Sequence, residues 1–464
     1  MSAHFAFWFS HIARYAPSPA RQNPSDMNDP KLTFILKHPL KESTKATAAS
    51  SRLFTPAQIG PVTLRNRTIR SAAFEGMGAD NGPTKMLADY HISVARGGVG
   101  MTTLAYAGVC RSALSFTTQL WLRPAIVPQL RDITDGIHDA GAKVSIQIGH
   151  CGNMTHRSTA GGTPVGASGG FNLYSPTWAR QLRPDELRKL AADFGDAVRT
   201  ARDAGFDCVE VHAGHGYLIS QFLSPFTNHR RDSFGGSLDN RMRFMRMVME
   251  EVMKAAGSDI GVLVKTNMRD GFKGGLEIDD CLTVARELEA LGAHALVLSG
   301  GFVSKAPMYV MRGEMPIYSM TYYMKQWWLK YGVRLCGKMM IPSVPYKPLY
   351  FLDDAKVFRR ELKLPLVYVG GATSRSSLEA LVDTHGFEFV QMGRALLREP
   401  GFVARVKDAV DSGSSEDVEC GCDHVNYCIA RMYSREMACH HCLQGQLPPR
   451  IVREIEQIKA RQKR

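Results

Sequence analysis

Two histidines and a tyrosine stand close together in the segment "VHAGHGYLISQF" at residues 211–222. His212 and His215 are three residues apart, and Tyr217 follows shortly after them. Two imidazole donors aimed at one carbonyl oxygen can polarise an activated alkene, and a phenol can then protonate a carbon. The histidines could instead bind a metal, but H-x-x-H without a third obvious ligand nearby is a weak zinc signal. We therefore predict His212, His215 and Tyr217 as catalytic residues and expect no metal among the site residues.

Eight apolar segments alternate with amphipathic stretches and are the elements that would position these residues. They span residues 68–75, 99–107, 143–149, 208–213, 260–267, 295–300, 364–371 and 387–394. Near-continuous apolar runs are typical of strands buried on both faces, and helices between them imply parallel connections. A doubly wound open sheet is the rival architecture, but it would usually carry a G-x-G-x-x-G turn after its first strand, and the sequence has none. We predict an α/β fold, a (β/α)8 TIM barrel.

The C-terminal ends of barrel strands are where chemistry is usually found. His212 ends the predicted fourth strand, Gly370 and Gly371 end the seventh, and Gly393 and Arg394 end the eighth. Glycines allow a backbone to approach a ligand closely, and an arginine can fork onto a phosphate. Although a glycine after a strand is often only a turn, two such loops after the seventh and eighth strands predict a phosphate site.

Two polar residues are predicted inside the barrel, Gln147 in the third strand and Lys265 in the fifth. A glutamine both donates and accepts hydrogen bonds, which suits the edge of a flat heterocycle. Lys265 would place a cation near an atom that becomes anionic on reduction. For each residue alone, a satisfied polar side chain of the barrel interior is an equally good interpretation. Together they indicate a ring bound across the barrel mouth.

The long segment "HAGHGYLISQFLSPFTNHRRDSFGGSLDNRMRF" resembles the core signature of the old yellow enzyme family of FMN-dependent oxidoreductases. Its branch contains the flavodomains of 2,4-dienoyl-CoA reductase and enoate reductase. Further matches, in order across residues 51–405, are "LRNRTIRSAAFEGM", "GPTKMLADYHISVARGGVGM", "QIGHCG", "YVGGATS" and "QMGRALLREPGF". The resemblance implies a non-covalently held FMN. Gly370 is added because it lies in the glycine loop after the seventh predicted strand. The predicted cofactor-binding residues are therefore Ala72, Ala73, Gln147, Lys265, Gly370, Gly371, Gly393 and Arg394.

The resemblance also implies the reaction. NAD(P)H would reduce the flavin, and flavin N5 would pass hydride to an enone, enoate or enoyl or dienoyl thioester held by His212 and His215 and protonated by Tyr217. We expect no room for a separate FAD domain before residue 464, so the nicotinamide would bind directly over the FMN. Two alternatives stay open: a flavin-dependent amine dehydrogenase or demethylase on the same barrel, and a flavin-binding protein with incidental reductase activity.

Three departures from the family pattern bear on these expectations. Phe74 stands where many relatives have a hydrogen-bonding Thr or Cys. Lys265 stands where many have Arg, and a lysine cannot make the bidentate contact of an arginine. Relatives of the dienoyl-CoA reductase type bind a 4Fe–4S cluster near the C-terminus, but Val425 takes the place of one thiolate. Since four thiolates are the usual requirement, we expect no 4Fe–4S cluster. A cluster or zinc site rescued by other residues is the alternative, and the candidates are Cys420, Cys442, His440 and His441.

A stretch of about 60 residues rich in Met, Tyr and Trp separates the sixth and seventh predicted strands. Insertions on the catalytic face often form lids or substrate walls, so this insertion favours a hydrophobic or acyl small-molecule substrate. Helices packed on the barrel, or an interface in a homo-oligomer, are equally good interpretations, and contact with a membrane surface is a further one.

Charge and composition divide the chain and exclude some functions. We predict a disordered or targeting leader at residues 1–50, the FMN-binding barrel at 51–410 and a Cys/His-rich extension at 411–464. About half of the net charge of +13 lies in the tails, and without a basic stripe we expect no nucleic-acid partner. No run approaches the ~20 apolar residues of a transmembrane helix. Ten dispersed cysteines indicate a reducing compartment, the cytoplasm, although the acid-poor start with Arg14 and Arg21 is compatible with mitochondrial targeting.

Overall fold

The computed structural model describes residues 51–172 and 174–462. The predicted leader, residues 1–50, lies outside this part of the chain. Unit Arg52–Arg464 is compact, and no helix in its described residues is long and apolar enough to cross a membrane.

Eight parallel strands close into a barrel, which confirms the predicted fold. Each strand pairs with the next along the chain, and the last pairs with the first. The strands are β1 Thr68–Arg70, β2 Met101–Gly108, β3 Lys143–Gly149, β4 Cys208–His212, β5 Gly261–Asn267, β6 Ala295–Ser299, β7 Leu366–Val369 and β8 Phe389–Met392. All eight predicted segments form a strand, although the first, seventh and eighth strands end at least two residues earlier than predicted because their last residues turn into the loops at the barrel mouth.

Helices follow the strands and cover the outside of the barrel. They are α1 Lys85–Arg96, α2 Val127–Asp139, α3 Pro184–Asp203, α4 Leu238–Ala256, α5 Ile278–Ala290, α6 Leu352–Glu361, α7 Arg375–Glu379 and α8 Phe402–Asp411. Their amphipathic sequences explain the arrangement: α3, for example, turns Leu187, Phe194 and Val198 into the core between helices and strands. The helix begins with Pro184, and the Glu186 carboxylate accepts the Arg183 backbone N–H at 2.8 Å.

A two-stranded hairpin, Ala57–Ile59 and Val62–Leu64, closes the N-terminal end of the barrel. Its apolar side chains pack with Cys208 and Leu263, which lie at the start of β4 and β5. The barrel interior at this end is therefore filled with apolar side chains. The opposite, C-terminal end of the strands is left to the polar residues and glycines.

The predicted insertion lies between β6 and β7 and carries helices Pro307–Met311, Ile317–Tyr322 and Trp327–Met340 before α6. The C-terminal extension follows α8 and carries Tyr427–Met432, the 3-10 turn His440–Leu443 and Pro449–Gln462. Both segments contribute to one apolar cluster, in which Met308 and Met320 of the insertion pack with Ile429 and Met437 of the extension. Insertion and extension thus form a joint layer on the barrel.

Shorter strands, helices and turns lie within the loops. They are the sheet Val165–Gly166, Gly170–Asn172 and Thr177–Gln181, the helices Arg157–Ala160, Leu218–Leu223 and Arg394–Arg398, the 3-10 turns Arg52–Phe54, Arg111–Ala113 and Pro124–Ile126, and the π-helical turn Ala380–Thr384.

Candidate active site

A cleft opens at the C-terminal end of the barrel strands. Seven of the eight residues predicted to bind the cofactor line it, namely Ala72, Ala73, Lys265, Gly370, Gly371, Gly393 and Arg394. His215 lines the same cleft, together with Ser71, Ser299 and Gln391. Of the other predicted residues, Gln147 lies deeper in the barrel, and His212 and Tyr217 lie beside His215. The strand ends therefore bring together residues that are up to about 320 positions apart in sequence.

The loops after β7 and β8 have glycine-containing backbones that a ligand in the cleft could approach closely. Gly370 and Gly371 have φ angles of 135° and 79°, a region that residues with side chains rarely adopt. A Cβ atom on Gly371 would also lie 2.9 Å from the backbone nitrogen of Leu349. At Gly393, by contrast, an added Cβ would meet no atom within 4 Å. The backbone at Gly393 therefore borders open space in the cleft.

Arg394 is held in the cleft by the C-terminal extension. Its guanidinium Nη1 donates to the Asn426 side-chain oxygen at 2.5 Å. The Asn426 amide in turn donates to the backbone carbonyl of Arg312 at 2.6 Å, in the insertion. Three separate segments thus fix one cation beside the two glycine loops. Sequence reasoning missed Asn426, and only the packing of the extension on the barrel reveals its role.

A buried carboxylate organises the barrel interior beneath the cleft. Glu210 accepts hydrogen bonds from the amides of Gln147 at 2.7 Å and Gln391 at 2.8 Å, and it pairs with the Lys265 ammonium at 2.9 Å. Lys265 also donates to the Ser71 hydroxyl at 3.3 Å. The Gln147 amide thus has one partner inside the barrel, and its role as a flavin contact stays a prediction, whereas Lys265 faces both the carboxylate and the cleft.

Glu210 and Gln391 were not predicted, although the sequence carries a signal for Glu210. It lies two residues before His212 in β4, and alternate residues of a strand point to the same face. Gln391 lines the cleft, and its side-chain oxygen is buried without a hydrogen-bond partner among residues 51–172 and 174–462. A buried acceptor left unpaired is costly, so this oxygen is a candidate contact for a ligand N–H group.

His212 is the last residue of β4, and His215 follows in the loop, where residues at the ends of β5 and β6 hold it. His215 has φ 60°, and its backbone N–H donates to the Asn267 side chain at 3.0 Å. Its Nε2 lies 2.7 Å from the Ser299 hydroxyl. The ring of His212 lies 5.2 Å from that of His215 at 90°, and its Nδ1 is buried without a partner in the described structure. A nitrogen of this kind is available to a ligand.

Burial keeps both histidines neutral. Desolvation, followed by the nearby Lys265 ammonium, lowers the pKa of His215 to about 3. Desolvation also lowers the pKa of His212 well below its usual value, with His215 and Lys265 as smaller causes. At neutral pH each ring therefore has one N–H donor and one acceptor nitrogen.

Tyr217 lies against this pair. Its ring centroid is 4.3 Å from that of His212 and 5.1 Å from that of Tyr106. Burial raises the pKa of the Tyr217 phenol above its usual value. The phenol therefore keeps its proton at neutral pH and can act as an acid.

A cluster of aromatic side chains includes Tyr433, which is near enough to Tyr217 to contribute, besides burial, to the raised pKa of its phenol. Phe74 stacks on Phe116 with centroids 4.6 Å apart, and Phe116 meets Tyr433 of the extension edge to face at 6.4 Å. The Tyr174 hydroxyl donates to that of Tyr433 at 3.4 Å. Phe74, which departs from the family pattern, thus has a stacking partner, and the extension reaches the neighbourhood of the site.

Three cysteines of the extension lie around one small cavity. Cys422, Cys428 and Cys439 line a cavity of about 20 Å³ together with Val425, which is room for about one water molecule. The Val425 side chain also packs with Tyr427 and the isoleucines of the last helix. The residues that line this cavity supply three thiols and also the imidazoles of His424 and His440, and a fourth thiolate would have to come from elsewhere.

Beside this cavity, Asp423 has three cationic or imidazole partners. One of its oxygens lies 3.1 Å from His440 Nε2, 3.2 Å from His441 Nε2 and 3.2 Å from the Lys459 ammonium. The ligand atoms of Asp423, His440 and His441 are close enough together to hold a metal ion. Lys459 neutralises the carboxylate in this arrangement, which disfavours a cation there.

A family model described as NADH:flavin oxidoreductase / NADH oxidase matches residues 52–316. The chain is 37% identical over 390 residues to 4,4'-dithiodibutanoate disulfide reductase of Rhodococcus erythropolis, covering 84% of this chain and 94% of that protein. It is 33% identical to an NADPH dehydrogenase of Listeria monocytogenes, and the match covers 77% of this chain and 94% of that protein. It is 27% identical to the NADH oxidase of Thermoanaerobacter brockii and spans only 53% of that longer protein.

Solved structures share the fold. The old yellow enzyme homologue of Zymomonas mobilis superposes with a TM-score of 0.63 at 24% identity, covering 79% of this chain and 94% of that one. A 2-naphthoyl-CoA reductase superposes with a TM-score of 0.70 at 21% identity, covering 87% of this chain and 58% of that one.

Proposed function

This chain belongs to the NADH:flavin oxidoreductase / NADH oxidase family and is an oxidoreductase of the old yellow enzyme type, and we propose that it binds FMN and uses NAD(P)H to reduce an activated C=C bond. When bound, FMN would carry hydride from the nicotinamide to the substrate. The proposal assigns three tasks to the residues of the cleft: holding the cofactor, orienting a carbonyl group and supplying a proton.

The cleft residues fit FMN. The open space at Gly393 and the guanidinium of Arg394 offer a backbone and a charged fork for the phosphate. The unpaired oxygen of Gln391 offers an acceptor to an N–H group of a flat ring. Lys265 offers a positive charge that Glu210 holds in place. These groups support a ligand that is anionic at one end and planar at the other.

The observation that carries the substrate proposal is the buried histidine pair, with the Tyr217 ring 4.3 Å from that of His212. His212 offers a nitrogen without a partner. At His215, a Ser299 hydroxyl that donates to Nε2 would place the ring proton on Nδ1, which could then donate to the substrate. Two such donors would polarise the carbonyl of an enone. Tyr217 would then protonate the α-carbon.

The aromatic cluster suggests the shape of the substrate. Phe74, Phe116 and Tyr433 form a connected aromatic cluster, and Tyr433 is near enough to Tyr217 to contribute, besides burial, to the raised pKa of its phenol. Flat apolar groups bind favourably between aromatic side chains. We therefore propose a hydrophobic or acyl enone, enoate or enoyl thioester as substrate.

A half-reaction panel tests the proposal. The protein, loaded with FMN and reduced anaerobically by NADH or NADPH, is mixed with 2-cyclohexenone, and the return of oxidised-flavin absorbance is followed. We expect reoxidation with formation of cyclohexanone. Protein that takes up no FMN would refute the cofactor proposal, and a reduced flavin that the enone leaves unoxidised would refute the substrate class.

A second candidate is the reduction of an organic disulfide. The 37% identical relative is named for 4,4'-dithiodibutanoate, whose disulfide would take up two electrons and two protons to give two thiols. Adding this compound to the same panel distinguishes the candidates, because reoxidation by the disulfide alone would favour it. An amine that reduces the oxidised flavin would instead support the alternative of an amine dehydrogenase.

A further inference from the structure

An apolar stripe runs along the outer face of helix Trp327–Met340 in the insertion. Trp327, Trp328, Tyr331, Leu335 and Met339 are all exposed, Trp327 by 67% and Leu335 by 79%. They are five of the nine large apolar side chains that stand out as exposed in the described part of the chain. At about 100° per residue, all five fall within an arc of roughly 120° on the helix surface. These side chains form an apolar stripe, and the exposed Lys338 lies within the same arc near the C-terminal end of the helix.

The opposite face of the helix is firmly packed. A Cβ on Gly337 would lie 3.0 Å from Ile317, so this helix approaches Ile317–Tyr322 closely. Arg334 donates to the Thr321 hydroxyl at 2.9 Å, and Lys330 donates to the Tyr322 carbonyl at 3.0 Å. The apolar stripe is therefore presented by an anchored helix.

The charges around the stripe are of one sign. Residues 315–352 contain five Lys or Arg and no Asp or Glu. Of these, Lys325 and Lys338 are exposed at the helix itself. The preceding acid, Glu314, pairs with Arg461 at 2.9 Å and with Lys338 at 3.8 Å, so its charge is already compensated. A partner of this face would meet apolar rings bordered by cations.

We propose that this stripe docks on the surface of an anionic phospholipid bilayer. Helices that lie in the plane of a membrane interface combine Trp, Tyr and Leu on one face with Lys and Arg beside it. Trp and Tyr favour the headgroup region because one end of each ring system is polar, and the cations are attracted to anionic headgroups. The helix lies on the bilayer and does not span it.

Pairing with a second copy of this chain fits the charges less well. A two-fold interface brings the same patch of both subunits together. Each copy would bring the exposed Lys325 and Lys338 to the contact, and residues 325–338 contain no acid to pair with them. Like charges at such a contact oppose association.

Vesicle co-sedimentation of the FMN-loaded full chain tests the proposal. We expect binding to vesicles of phosphatidylcholine with about 30 mol % phosphatidylglycerol and much weaker binding to phosphatidylcholine alone. The variant carrying Trp327→Ser and Trp328→Ser should lose at least about 10-fold in partitioning, since it removes two large apolar groups. Lys338→Gln should lose about five-fold on anionic vesicles only.

Trp178→Ser is the matched control, because Trp178 is 69% exposed but lies in the strand Thr177–Gln181, outside the insertion; it should leave binding unchanged. Flavin absorbance and melting temperature confirm that each variant is folded. No binding of the wild type to anionic vesicles, or equal loss in the Trp178→Ser variant, would overturn the proposal. So would a wild-type dimer in sedimentation velocity that the double tryptophan variant converts to monomer, because the stripe would then be a subunit interface.

Discussion

The carboxylate of Glu210 lies 2.9 Å from the ammonium of Lys265, in the barrel interior directly below the cleft. Both side chains are almost completely buried. The pair places a fixed cation at the cleft while the two glutamines complete the hydrogen bonding of the carboxylate. The position of Lys265 therefore depends on a residue that the cleft itself does not contain.

Glu210→Gln should destabilise the protein strongly. It leaves the Lys265 cation buried without its partner, and breaking a buried pair costs about 3–5 kcal/mol. Chemical denaturation at constant FMN concentration measures the loss. The double variant with Lys265→Met is the matched control, and we expect it to recover part of the stability. A double variant that is less stable than Glu210→Gln alone would contradict this account.

Arg394→Ala should weaken FMN retention by about 10- to 100-fold, because charge-assisted hydrogen bonds contribute about 1.5–3 kcal/mol. FMN released into the filtrate during ultrafiltration gives the dissociation constant. Arg405→Ala is the control, since Arg405 pairs with Glu399 on the barrel surface away from the cleft. Equal FMN retention in both variants would contradict the proposal that Arg394 binds the FMN phosphate.

Replacing His212 and His215 by Ala should leave the flavin reducible by nicotinamide while the oxidative half-reaction with an enone collapses. Removal of one carbonyl donor typically costs about 10²–10³ in rate. Stopped-flow measurement of the two half-reactions separates the effects. An unchanged enone rate in the double variant is the result that would end the polarisation mechanism.

Tyr217→Phe should slow the same half-reaction by about 10²–10⁴, the usual contribution of a positioned acid. The phenyl ring keeps the contacts with His212 and Tyr106, so substrate affinity should change little. A solvent deuterium isotope effect should be present in the wild type and altered in the variant. A similar loss in both half-reactions would indicate damage to the site and not a lost proton donor.

Stability should fall as the pH drops below about 6.5. The pKa of His215 is lowered to about 3 in the folded state, while an unfolded histidine titrates near 6.5. Between these values the unfolded state binds a proton that the folded state does not, so stability rises with pH in this window and is fully present above it. His215→Asn, which suits the left-handed backbone, should flatten the dependence of the unfolding free energy on pH between about 6.5 and 4. An identical slope in wild type and variant would contradict the lowered pKa.

Anaerobically purified protein should contain no stoichiometric iron or labile sulfide, because Val425 occupies the place of a fourth thiolate beside Cys422, Cys428 and Cys439. Metal and sulfide analysis checks this expectation. Val425→Cys is the informative comparison. Iron in that variant and not in the wild type would show that the missing thiolate is what prevents a cluster from binding. About four irons per wild-type chain would show that another residue substitutes, and zinc would appear in the same analysis.

Local pattern was sufficient for the barrel and for the part of the cleft made by strand ends. Buried parallel strands are apolar over their whole length, and their C-terminal ends meet at one edge, so His212, Lys265, Gly371 and Arg394 could be assigned to one region from spacing alone. The motif that contains His215 and Tyr217 was likewise visible in the sequence.

Contacts between segments far apart in the chain were not visible in that way. The sequence predicted Gln147 as a contact for the ring, but it did not predict that the Gln147 amide also donates to the Glu210 carboxylate on the neighbouring strand. Asn426 reaches Arg394, and Tyr433 reaches Phe116, only because the extension folds back onto the barrel. Local periodicity reports the direction in which a side chain points and not which distant group it meets. Which polar groups are left unpaired, such as the oxygen of Gln391 and the nitrogen of His212 among the described residues, was therefore decided by tertiary packing alone.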